Sequence, residues 1–464
     1  MTFKKKKVYD VISDQERAEL EAYAKDYMDF LSTAKTERLA VDIIVKAAEE
    51  AGYRELSEAM KSGIKPGDKV YRVNKNKMVV FFVVGQDLTQ GMDIVGSHID
   101  APRLDLKPLP LTEDSQANLA YFKTHYYGGV KKYHWTNLPL ALHGVVFTKD
   151  GKKVDIHIGE KADEPVFYIN DLLIHLSRKR MEKKADEVIE GEQLQLVIGS
   201  DSSGHADKEE EPIKANILAY LKKEYSIEED DFQVAEIEVV PAGPAREVGF
   251  DRSLIAGHGH DDRICSYANL RAILDRKEGV PERTKVALFV DKEEIGSVGA
   301  TGMTSNFFEY AVADILETMK EHYSELDLKR AMGNSRVLSA DVTAAYDPLF
   351  PEAFDLSNSS VVGGGITIAK YTGSGGKGGS NDANAEYLAE LRKIFDDDGV
   401  IWQTGELGKV DAGGGGTIAY ILAKYNMDVV DCGTGMLSMH APIELASKAD
   451  AYETYRAYRA FFNA

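Results

Sequence analysis

Between Ser13 and Ala51, apolar residues recur at spacings of three and four in SDQERAELEAYAKDYMDFLSTAKTERLAVDIIVKAAEEAG, which predicts two amphipathic helices ending at Gly52. The period then falls to two, or to unbroken apolar runs. KVYRVNKNKMVVFFVVG predicts a hairpin turning at Asn74 to Lys77, and MDIVGSHIDAPRLDLKP a buried strand ending near Ser97. From about Pro102 to Val248 the runs are short and alternating, as in LALHGVVFTKDGKKVDIHIG with its Lys-Asp-Gly-Lys turn, PVFYI and LQLVIGS. Charged loops such as DKEEEP separate them, which predicts a β-rich insert.

From Gly249 onward helical and strand patterns alternate again. SYANLRAILDRK, NFFEYAVADILETMKEHY, ANAEYLAELRKIF and GTIAYILAKYN predict helices, and KVALFV, RVLSADV, ITIAKYT and MDVVDCG predict strands. The expected fold class is therefore α/β: a mostly parallel sheet flanked by helices, written in two pieces, 1–101 and 248–464, around a β-rich insert at 102–247. No repeat recurs at a solenoid period.

Charge narrows the partners. Across 464 residues, Lys plus Arg number 56 against 76 for Asp plus Glu, a formal charge of -20. That balance favours solubility and argues against non-specific binding to nucleic acid or anionic membrane. The cysteines are Cys265 and Cys432, outside any CxxC pair, so a disulfide framework is not expected and a reducing cytoplasm is. The basic start MTFKKKKVYD lacks the apolar run of a signal peptide, and no stretch approaches the ~18 apolar residues of a membrane helix.

In open α/β sheets ligands bind beyond the carboxyl ends of the strands. His98 and Asp100 follow DIVGS, Asp261 and Asp262 follow AGHGH, and Glu293 and Glu294 follow VALFV. Asp341 follows RVLSA, and His440 follows DVVDCGTGMLSM. Alone, each has an ordinary reading as a satisfied histidine or a solvated acidic loop. Five segments delivering nitrogen or oxygen donors to one edge favour hard or borderline divalent metals such as Zn, Mn or Co. The donors exceed the needs of one catalytic zinc, which points to a pair ~3.5 to 4 Å apart bridged by a carboxylate.

SHIDAPRLDLKP, GHDDRICSYANL, VDKEEIGSVGATG, SADVTAAYDP and GMLSMHAPIELASKAD, in that order, resemble the M18 family of aspartyl-aminopeptidase-like metallopeptidases, bacterial type. The resemblance spans nearly the whole chain. It implies His98 and Asp341 on one metal, Glu294 and His440 on the other, Asp261 bridging, Glu293 as general base and Asp100 orienting His98. The implied ions are two divalent metals, zinc above all, with cobalt or manganese as alternatives. It also implies peptide substrates, dimers built through the insert and a tetrahedral dodecamer. His175, in YINDLLIHLSRK, would be donated to a neighbouring site to stabilise an oxyanion. Lys370, in ITIAKYTG, resembles a lysine that reads an acidic substrate side chain, which implies a preference for N-terminal Asp or Glu; an apolar or broad preference stays open.

Other classes leave more unexplained. GSGGKG, residues 373–378, fits the dinucleotide fingerprint GxGxxG, and Asp396 to Asp398 follow about twenty residues on, as an NAD-linked enzyme would require. That reading gives no role to His98, Asp261, Glu293 or His440. A P-loop fails because Gly378 follows Lys377, and no GxSxG is present. A catalytically idle assembly protein would not need Glu293. The run Gly413 to Gly416 reads as backbone that a substrate can approach.

Overall fold

The computed structural model describes residues 5–204 and 210–464, so the first residues of the basic N-terminal stretch and part of the DKEEEP loop lie outside the described residues. The chain divides into two compact units. One runs up to Asp100 and includes Ala245–Met439 and Glu444–Ala464; the other is Ala101–Pro244 with His440–Ile443.

The first unit is built on a nine-stranded sheet. Its order is Arg54–Glu55, Lys69–Asn74, Met78–Val83, Thr284–Val290, Met92–His98, Arg336–Ser339, Asp428–Gly433, Ile366–Ala369 and Trp402–Thr404. The sheet is mixed, but Thr284–Val290, Met92–His98, Arg336–Ser339 and Asp428–Gly433 at its centre are mutually parallel. Successive residues of a strand face opposite sides. Val79, Phe81, Val95, Ala287, Phe289 and Leu338 accordingly enter one core, with the helices Asp14–Thr33, Glu37–Glu50, His260–Leu274 and Lys448–Asn463. Val80, Phe82, Ile94, Val286, Leu288 and Val337 enter the other, with Leu56–Ser62, Phe307–Met319 and Glu325–Gly333. Burial on both faces is why these strands read as unbroken apolar runs.

The expected hairpin turns through Lys75 and Asn76, both at positive φ (53° and 56°), as a tight turn between twisted strands requires. Ser13 caps the first long helix through a capping box with Glu16. The helix expected over GTIAYILAKYN is only Ala419–Ala423, because the chain must reverse at Asn426 (φ 67°) to enter Asp428–Gly433. A five-stranded sheet holds Arg246–Val248, Leu254–Gly257, Glu444–Ser447, Gly435–Leu437 and Thr343–Ala344. Cys265 and Cys432 are free and buried, and burial pushes both thiols up from their ordinary range.

In the second unit, seven antiparallel strands include Arg103–Asp114, Leu119–Tyr127, Pro139–Phe147 and Glu236–Pro241. Glu236–Pro241 pairs with both Arg103–Asp114 and Pro139–Phe147, which closes the sheet into a barrel. Trp135, Leu140, Leu142, Leu194, Leu196 and Val239 fill it. This unit also carries a helix, Pro212–Tyr225, that the apolar pattern did not predict; only Ile213 and Leu221 on it are buried. Among the described residues no helix is long and apolar enough to cross a membrane.

Candidate active site

Register brings the first group together. Val290 is level with His98, and Ser339 with Gly96, so three neighbouring parallel strands end in the same place. His98 closes its strand; Glu293 and Glu294 start the short turn Glu293–Ile295 just beyond Val290, and Asp341 lies two residues past Ser339. That turn is entered through Lys292 and left through Gly296, both left-handed (φ 67° and 91°). Asp261 and Asp262 precede the regular part of the helix His260–Leu274, with non-helical backbone and a cis peptide between them.

His98 is the hub. Its Nε2 lies 3.0 Å from Asp261 Oδ1 and 3.7 Å from Asp341 Oδ1, and its Nδ1 lies 3.2 Å from Asp100 Oδ1. Asp100 does more than orient the ring, because its two carboxylate oxygens also accept the backbone N–H groups of Glu293 and Glu294, at 3.1 and 3.2 Å. Donor atoms of His98, Glu293 and Glu294 lie within 4.8 Å of one another, as do those of His98, Asp262 and Asp341.

Two acids that the sequence reading left without a role take part. Asp262 accepts the backbone N–H of His98 at 3.3 Å, and Glu444 accepts that of Asp261 at 3.1 Å. The doubled Asp in GHDD was the available signal for the first; Glu444, inside a short strand, gave none.

Burial and the mutual repulsion of Asp341, Asp100 and Asp261 hold Glu293 up at about 8, although His98 pulls it down. Burial likewise raises Asp341 and Asp262. Burial alone would lower the His98 imidazole, but Asp100, Asp261 and Asp341 together keep it well above its ordinary value. A buried knot of carboxyls around one imidazole is stabilised by added positive charge, as protons or as a cation. Its donors are those that zinc, manganese or cobalt accept, so the residues fit such ions.

A further buried acid stands nearby on the same sheet. Asp431 accepts a hydrogen bond from Thr417 Oγ1 at 2.5 Å, and burial raises its carboxyl to about 7 against the hydrogen bonds of Thr417 and Ser339, with Asp341 adding to the rise.

The remaining expected residues are His440, His175 and Lys370. His440 belongs to the second unit, where its Nδ1 is 3.0 Å from the Gly129 carbonyl. His175 is exposed on the turn Ile174–Leu176. Lys370 follows Ile366–Ala369, a strand antiparallel to Asp428–Gly433, and therefore leaves the sheet toward the opposite end from His98; its Nζ pairs with Asp382 at 3.0 Å. The GSGGKG loop does not open a helix. The next helix, Ala385–Asp397, starts only after Asn384 caps it, so no helix N-terminus faces the glycines as a pyrophosphate site needs.

Residues 30–462 match the family described as aminopeptidase I zinc metalloprotease (M18). A curated relative from Clostridium acetobutylicum, named as a probable M18 family aminopeptidase 1, is 50% identical over 461 residues, covering 99% of this chain and 98% of its own. The crystal structure of an M18 family aminopeptidase from Thermotoga maritima superposes with a TM-score of 0.94 at 46% identity, covering 100% of both chains. A yeast aminopeptidase structure, solved as a dodecamer, shares the fold at 20% identity with a TM-score of 0.76, over 96% of this chain and 97% of that one.

Proposed function

Since this chain belongs to the M18 aminopeptidase family, whose members are zinc metalloproteases, we propose that it removes N-terminal residues from peptides by two-metal hydrolysis. The observation that carries this reading is the knot of Asp100, Asp261, Asp341 and Glu293 around His98, which gathers the carboxylate and imidazole donors that divalent cations take. His98 and Asp341 would hold one divalent ion and Glu294 and His440 the other, with Asp261 between them. Bound there, the ions supply Lewis acidity toward the peptide carbonyl and a water ready to lose its proton.

The chain's own residues do the rest. Glu293 accepts the proton of the attacking water on its carboxylate and returns it to the departing amine. Asp100 fixes the backbone of both glutamates and the tautomer of His98 with one side chain. His175 acts from a neighbouring copy, stabilising the negative charge on the attacked carbonyl oxygen. It sits among Leu173, Ile174, Leu176 and Met181, which are 54 to 68% exposed in the single chain, an apolar stretch suited to being covered in a dimer and, through dimers, a dodecamer. Two free, buried cysteines suit a cytoplasmic setting.

A preference for acidic N-terminal residues rests on Lys370, which Asp382 already pairs. The deciding experiment is hydrolysis of Glu-, Asp-, Leu- and Ala-anilides before and after chelation, with Zn, Mn and Co added back. Activity that metal restores, and that N-acetylation of the substrate abolishes, establishes the reading. Equal rates on Glu- and Leu-anilides would reject the acidic preference.

A further inference from the structure

The glycine run at 413–416 has no part in the chemistry above. Of its four members the fold demands one: Gly414 has φ 156°, and a Cβ there would stand 1.9 Å from the Gly373 carbonyl oxygen. Gly415 would place a Cβ 3.4 Å from Leu407, an ordinary contact. At Gly413 and Gly416, φ is ordinary and a Cβ would meet nothing within 4 Å. Bare glycine enlarges the conformational freedom lost on folding relative to alanine. The fold thus accepts side chains where none is present, and a cavity of about 260 Å³ opens beside Gly413, lined also by Tyr371, Lys377, Glu406 and Asp411.

The run is nevertheless held in place. Gly415 accepts the Gly373 N–H at 2.7 Å. At the other end Thr417 Oγ1 donates to Asp431 at 2.5 Å, accepts the Ala419 N–H at 3.2 Å and lies 3.4 Å from Ser339 Oγ. A hydroxyl can donate and accept through the same atom, which the methyl of valine cannot. Ile418 then packs over Gly96. Ser339 and Gly96 are level on neighbouring strands, two residues before Asp341 and His98. An uncluttered, anchored backbone therefore leaves from the rim of the acid knot, and main-chain N–H and C=O groups so presented suit an extended peptide.

We propose that the glycine run 413–416, pinned at Thr417 by Asp431, is the rail on which the main chain of a peptide substrate lies, with Thr417 as its positioning residue. This rests on the aminopeptidase reading. An aminoacyl anilide has no main chain beyond the bond that is cut, whereas a tetrapeptide does, so the two substrates separate the rail from the reaction.

The test uses full-length, metal-loaded protein and compares Gly416→Val, Thr417→Val and Thr417→Ser with wild type on a tetrapeptide and on the anilide of its first residue. Gly416→Val and Thr417→Val should raise KM for the tetrapeptide about tenfold, as loss of one or two net hydrogen bonds would, and by a clearly larger factor than for the anilide. Thr417→Ser, which keeps the hydroxyl, should retain the wild-type tetrapeptide KM. Equal effects on both substrates, or none on the tetrapeptide, would overturn the rail. A wild type silent on both would remove the aminopeptidase reading and the rail with it.

Discussion

Asp100 carries three donors on two oxygens: the His98 ring and the main-chain N–H groups of Glu293 and Glu294. Asp100→Ala would leave the half-buried N–H groups of Glu293 and Glu294 without this acceptor, at a cost of up to about 1–3 kcal/mol each, and the His98 ring with only the residue-100 carbonyl. Zinc affinity should fall about 10- to 100-fold, the usual penalty for losing a carboxylate behind a metal-bound imidazole, measured by competition with a chelating dye. Glu293→Gln tests a separate role. The amide is isosteric but cannot take a proton, so turnover should drop by roughly 10² to 10⁴ while zinc content, read by atomic emission, stays at the wild-type level. A glutamine variant that kept full turnover would remove Glu293 from the proton transfer.

At the scale of elements, much was legible because strands and helices at the core carry their period openly. Met92–His98 and Thr284–Val290 end within a residue of the places that their apolar runs predict, which is why His98, Glu293 and Glu294 could be located from sequence. Strand direction left no such trace. Ile366–Ala369 looks like its neighbours but runs antiparallel to Asp428–Gly433, so nothing local revealed which way Lys370 would leave the sheet. The barrel is equally silent, since its closure depends on Glu236–Pro241 meeting strands far back in the chain.

The last helix, Lys448–Asn463, yields a pH prediction. Asp450 in its first turn is buried and accepts the N–H groups of Gly363 and Gly365, each at 2.7 Å, and burial lifts its carboxyl to about 7 despite those bonds. The folded group therefore binds its proton more tightly than the unfolded one. Its contribution is full below the ordinary carboxylate range, declines as pH rises and is spent above about 7. Urea unfolding of wild type and Asp450→Asn at pH 5 and 8 should show the smaller loss of stability between the two pH values in the variant, because asparagine does not titrate.

For the whole molecule, the proposed exchange of His175 between copies makes an all-or-none forecast. His175→Ala and Glu293→Gln proteins, each slow alone, should regain turnover when unfolded together and refolded as a mixture. Mixed pairs then contain a site with its own Glu293 and a partner's histidine. No gain over the two separate proteins, with mixed assemblies verified by differential tagging, would confine His175 to its own chain. Residues of this kind are the least legible of all, since a single sequence carries no record of which copy a side chain serves.

Both native thiols are sealed in the core, Cys265 at 0% and Cys432 at 1% exposure, and burial disfavours the thiolate that alkylating reagents attack. The molecule therefore offers a dark background for fluorescence. A single cysteine placed on an open loop would be the one group to take a maleimide dye, so a reporter of peptide docking or subunit exchange can be installed without first stripping any residue from the native chain.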